Sequence, residues 1–175
     1  MMYFRELEID NLDIIKSKTL DYIKTCTSIL NVKIMHTRFD LPNDEFFSCV
    51  PELKNAFDQY GISVAGAGFY LSFDSMTVTH IDVFHHKARI NIPILNVDGT
   101  HTNFYSDCVI DPNPIPGHHY AIINTDYKLA DKLETKKATV FRVSAPHRVV
   151  IPKNHSLPRI MLMLNFDKDP VFLLD

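Results

Sequence analysis

Residues 80–94 read "HIDVFHHKARINIPI" and set histidines, a carboxylate and a guanidinium into a run of strand-forming apolar residues. The β-rich segment "MTVTHIDV" ends on His80 and Asp82, and the period of two along a strand sends both side chains to one face. "ARINIPI" then opens a second strand. Working outward, short stretches rich in β-branched and aromatic residues recur near 62–73, 77–83, 88–97, 102–106, 119–125, 138–144, 147–151 and 159–166, separated by turn formers. About eight strands follow, with no alternation of strand and helix that would give a parallel sheet.

Before Gly61 the texture is helical. "DNLDIIKSKTLDYIKTC" (10–26) puts Leu12, Ile15, Leu20 and Ile23 roughly on one helix face, with Asp10 or Asn11 as N-cap. A second helix is predicted through "PELKNAFDQY" (51–60), started by Pro51 and stopped by Gly61. The fold class is therefore α+β, mainly β: an antiparallel sandwich or small barrel with N-terminal helices packed on one sheet. At 175 residues the chain reads as a single domain spanning 1–175. "SDCVIDPNPIPGHH" (106–119) reads as an extended, stiff loop bordering a pocket mouth, and "DYKLADKLETKKA" (126–138) as a solvated connector.

Composition narrows the function. A formal net charge of −3 offers no basic excess for a phosphate backbone, so nucleic acid is not expected as a partner. Neither a signal peptide nor an apolar run approaching about 18 residues occurs, so no membrane partner and a cytoplasmic location are expected. Cys26, Cys49 and Cys108 lack paired spacing and read as reduced structural thiols.

The chemistry is concentrated in two places. His80 and Asp82 form either a chelating pair or an exposed polar strand end. His147 lies in one apolar strand and Arg159 opens the next, ahead of "IMLMLNF", so its guanidinium is predicted to be buried. A buried guanidinium calls for an anion: a ligand carboxylate held by its planar fork, or a structural acid such as Asp82 or Asp107. Two histidines and one carboxylate, His80, Asp82 and His147, make a facial triad suited to non-haem iron(II).

These residues give the chain a resemblance to the iron(II)- and 2-oxoglutarate-dependent dioxygenases, with features of the prolyl hydroxylase-like and aspartyl/asparaginyl hydroxylase-like branches. The family pattern is His-x-Asp, a later histidine and a basic residue about a dozen positions beyond. Here Arg159 stands twelve residues after His147. Arg89, nine residues after His80, falls where both branches carry an arginine, and "GTHTNFYSD" resembles a degenerate prolyl hydroxylase segment. Tyr70 matches a pocket tyrosine of some prolyl hydroxylase-like members. Asp82 departs from aspartyl/asparaginyl hydroxylases that lack the carboxylate, and apolar "IPIL" replaces a tyrosine common in prolyl hydroxylases.

The resemblance implies a double-stranded β-helix, or jelly-roll, core over about 61–167. It implies iron(II) on His80, Asp82 and His147, 2-oxoglutarate as cosubstrate with its far carboxylate on Arg159, and O2 as the oxidant. Arg89, Tyr70, Asn91 and Thr102 are the further contacts expected for cosubstrate or substrate. The outcome expected is hydroxylation of a peptide side chain, or of a free amino acid or other small molecule. Two rival readings keep the β fold: a cupin-like metal protein without oxygenase chemistry, and an inactive binding or structural module. The pairs His85-His86 and His118-His119 are read as exposed turn residues, since neighbours on an extended chain point to opposite faces. His101 and His155 fall near loop ends.

Overall fold

The computed structural model describes residues 1–26, 36–76 and 78–175. Twelve strands among them form two antiparallel sheets of six. In chain order they are β1 (Phe4–Leu7), β2 (His36–Asp40), β3 (Val64–Ser72), β4 (His80–Asp82), β5 (Ala88–Leu95), β6 (His101–Ser106), β7 (Ile110–Ile115), β8 (His119–Ile122), β9 (Lys128–Leu133), β10 (Ala138–Arg142), β11 (His147–Val150) and β12 (Arg159–Phe166). The first sheet runs β1-β10-β5-β12-β3-β2 and the second β7-β8-β4-β11-β6-β9. Neither closes into a barrel.

The eight strands expected from sequence are the eight inner strands of these sheets. The four unexpected ones, β1, β2, β7 and β9, are the four edges. An inner strand is hydrogen-bonded on both sides, and here most bury apolar residues, whereas an edge strand borrows its register from one neighbour. β7, "IDPNPI", corrects the expected loop: its prolines lack N–H groups, which an edge strand tolerates. β9, "KLADKL", corrects the expected connector, with only Leu133 buried.

The first sheet is covered on its outer face by helices. α1 (Leu12–Thr25) begins after Asn11, which takes a left-handed conformation and makes no side-chain cap, and it buries Ile15, Thr19, Tyr22 and Ile23. α2 (Asn43–Cys49) buries Phe46. The expected helix over 51–60 is instead two 3-10 turns, Pro51–Lys54 and Asp58–Tyr60, parted by Asn55 at φ −112°, ψ 0°. Its predicted ends hold: Pro51 opens it, and Gly61 at φ 67° stops it in a conformation that favours glycine. Leu53 and Phe57 join Ile15, Ile23, Phe46, Phe69, Leu71, Ile90, Ile92, Leu162 and Leu164 in one core. Burying each such side chain stabilises the fold by roughly 1.5–3 kcal/mol.

Alternation does the rest. Phe69 and Leu71, Ile90 and Ile92, and Ile160, Leu162 and Leu164 face that core, so Tyr70, Arg89, Asn91, Arg159, Met161 and Met163 face the other way and line a cavity. No helix among the described residues is long and apolar enough to cross a membrane.

Candidate metal and anion site

The cavity, about 630 Å³, takes its walls from both sheets. From the second sheet, β4 supplies His80 and Asp82, and its neighbours complete a cluster by register. β11 places His147 directly opposite His80, and β8 places His119 directly opposite Asp82. The His80 and His147 ring centroids are 4.5 Å apart, and those of His80 and His119 are 4.9 Å apart.

Two of the three strand histidines, His80 and His147, are oriented by the backbone. Nδ1 of His80 lies 3.2 Å from the Val78 carbonyl, and Nδ1 of His147 lies 2.9 Å from that of Ala145. A carbonyl only accepts, so each Nδ1 carries the proton and each Nε2 keeps its lone pair, as a metal ligand requires. Burial pushes His147 down to about 4, with Asp82 opposing. Burial would raise the Asp82 carboxyl, but its contacts with His119 and His80 outweigh it and hold the group well below the usual carboxylate range.

Asp82 Oδ1 lies 3.5 Å from His80 Nε2 and 2.6 Å from His119 Nδ1. The second contact is short but misdirected: both atoms are buried, and neither makes a hydrogen bond among the described residues. A buried carboxylate oxygen and ring nitrogen left in this state favour a cation bound beside them and shared with His80. His80, Asp82 and His119 each bring one ligand atom within 4.8 Å of the others, close enough to hold a metal ion. Carboxylate and imidazole donors without thiolate suit iron, manganese or zinc.

The structure thus places the predicted His80, Asp82 and His147 on one cavity, but the group within mutual reach of an ion is His80, Asp82 and His119, with His147 outside it; His119 is thereby corrected from its assignment as an exposed turn residue. His119 was hidden because its partner lies on another strand. His118, at φ 69° in the tight turn after Gly117, is not on extended chain, and both His118 and His119 line the cavity. That turn, rather than the whole 106–119 segment, is what borders the cavity. His85 is exposed, as expected.

At the first sheet Arg159 is only 4% exposed. Its Nε donates to Thr100 Oγ1 at 3.0 Å, and no carboxylate among the described residues pairs with it. The structural-acid alternative fails: Asp82 contacts His80 and His119, and Asp107 pairs with Lys128 at 3.2 Å. Burial lowers the Arg159 guanidinium to about 10, with Tyr70 opposing.

Tyr70, Arg89, Asn91 and Thr102 all line the same cavity. Burial raises the Tyr70 hydroxyl to about 12 and lowers Arg89. The Asn91 Oδ1 is buried without a hydrogen-bond partner. Comparison with models of protein families and with curated proteins gives no match for this chain.

Proposed function

We propose that this chain is an iron(II)- and 2-oxoglutarate-dependent dioxygenase built on a double-stranded β-helix core, and that it hydroxylates a peptide side chain or a small molecule. One observation carries the reading: a buried guanidinium with no carboxylate partner among the described residues shares a cavity with a cluster of imidazoles and one carboxylate. A metal ion and a dicarboxylate would satisfy both ends together.

His80, Asp82 and His147 would hold iron(II), two of them through ring nitrogens already turned by backbone carbonyls. Bound there with 2-oxoglutarate, iron(II) would supply oxygen activation coupled to oxidative decarboxylation of the cosubstrate to succinate and carbon dioxide. Arg159 grips the far carboxylate by charge-assisted hydrogen bonds, with Thr100 fixing the plane of its fork. Met161, Met163, Phe141 and Val149 add apolar wall that limits water around the reacting groups.

His119 favours a second reading, because a fourth donor closes a site that oxygen chemistry needs open. In that case the chain is a cupin-like metal protein without oxygenase activity. Succinate formation from 2-oxoglutarate with iron(II) and ascorbate separates the two, assayed first alone and then with peptide and amino-acid pools. Turnover above the metal-free control supports the dioxygenase. Tight metal binding with no 2-oxoglutarate binding supports the closed site.

A further inference from the structure

Among the described residues, the ionised side chains lining the cavity are Arg38, Arg89, Arg159, Asp40 and Asp82, three guanidiniums against two carboxylates. A divalent metal and a dicarboxylate cosubstrate add nothing to that balance. One positive charge remains, and its position can be read. Arg38 forks onto Asp40 with Nε and Nη2 at 2.9 and 2.6 Å. Asp82 faces the metal cluster, and on the reading proposed above Arg159 faces the cosubstrate.

Arg89 is left. Its guanidinium lies over the Phe84 ring at 3.9 Å and directs Nη1 to the Met163 sulfur at 3.6 Å. Neither partner is an anion, and Arg89 makes no ion pair among the described residues. A ring face and a thioether position the planar fork without a carboxylate in contact with it; Asp82 and Asp40 act on its charge only from beyond ion-pair distance. Arg89 is also distant from Arg159 along the sheet. Its neighbour Ile90 is paired with Leu164, five residues along β12 from Arg159, a backbone separation of roughly 17 Å at about 3.3 Å per residue. Arg38, Phe84 and Arg89 line both the main cavity and a second one of about 330 Å³ that reaches His85 and His86. Arg89 therefore stands where the inner cavity meets an outer groove.

We propose that the substrate carries a carboxylate that docks on Arg89 at this junction, with its hydrocarbon part directed inward to the His80–Asp82 cluster. The inference rests on the dioxygenase reading for the inward direction and for setting Arg159 aside, whereas the lack of an ion pair at Arg89 among the described residues is independent of it. The carboxylate belongs either to a free amino acid or to an acidic side chain of a peptide.

The test uses the full chain loaded with manganese(II) and 2-oxoglutarate, and separately the metal-free chain. Calorimetric titrations compare N-acetyl-L-amino acids with their primary amides, and tetrapeptides carrying an internal Glu with the same peptides carrying Gln. The acid of at least one pair should bind ten-fold or more tightly than its amide, and the pair that does so identifies the source. Arg89→Met should remove that preference while 2-oxoglutarate affinity stays within two-fold. Arg89→Lys, which keeps charge without the fork, should retain part of it, and circular dichroism checks that both variants fold. Equal binding of acids and amides, or no binding of any probe, overturns the proposal. So does a ten-fold loss of 2-oxoglutarate affinity in Arg89→Met, which moves Arg89 to the cosubstrate. If wild type binds neither manganese nor 2-oxoglutarate, the dioxygenase reading fails, and the acid preference of the metal-free chain still decides Arg89.

Discussion

The two sheets divide the work unequally. The first has inner strands of five to nine residues backed by helices and a continuous apolar core. The second places its donors on strands of three and four residues, β4, β8 and β11. Its own buried cluster is small, Phe104, Leu133 and Ala145 with Tyr3, Phe4 and Phe141 against them. A guanidinium whose terminal nitrogens find no anion is tolerable where a thick core holds the strand that carries it. Metal donors need different support: cross-strand register to bring them together, and backbone carbonyls to turn the rings. The anion end of the cavity is thus set by packing, and the metal end by pairing.

The widest separation between the two ends should appear in metal binding. His80→Ala and Asp82→Ala are expected to abolish stoichiometric iron(II) or manganese(II) binding, read by calorimetry, while variants on the first sheet retain it. His147→Ala should do the same, and His119→Ala should weaken binding by roughly 10–100-fold, the range for a residue acting through a ligand. The reverse order would make His119 the third ligand and His147 its support.

Arg159→Leu should produce the converse. Metal binding persists, while 2-oxoglutarate affinity falls by about 2 to 5 kcal/mol, the usual loss on breaking one side of a buried charge pair. An unchanged 2-oxoglutarate titration would detach the anion clamp from the first sheet.

The smaller effect sharpens the contrast in stability. In the metal-free protein His147 is lowered from 6.5 to about 4, so the unfolded chain takes up a proton first. Stability contributed by the neutral ring is complete above about 6.5 and lost as pH falls toward about 4, by about 3 kcal/mol. Asp82, held below the ordinary carboxylate range, adds its own loss only at still lower pH. Thermal melts between pH 7.5 and 4 should show the decline in wild type and a flatter profile in His147→Asn. An equally steep profile in the variant would assign the loss elsewhere.

The sequence alone determined the inner architecture. Eight strands were legible because their side chains are constrained by neighbours on both sides, and Arg159 was predictably buried because an apolar run follows it. It also marked Asp82 and His80 as facing one way, since that depends on strand period alone. Tertiary structure decided what crosses between strands. The edges β1, β2, β7 and β9 draw their register from a single neighbour and carry little apolar pattern of their own. His119 became part of the cluster only because β8 pairs with β4 at one register, 37 residues apart in the chain. Arg89 acquired its unbalanced charge because Asp40, on β2, is taken by Arg38. Local periodicity reports which face a side chain takes, whereas which two faces meet, and which charges remain unpaired when they do, is set by pairings between distant segments that no single stretch of sequence encodes.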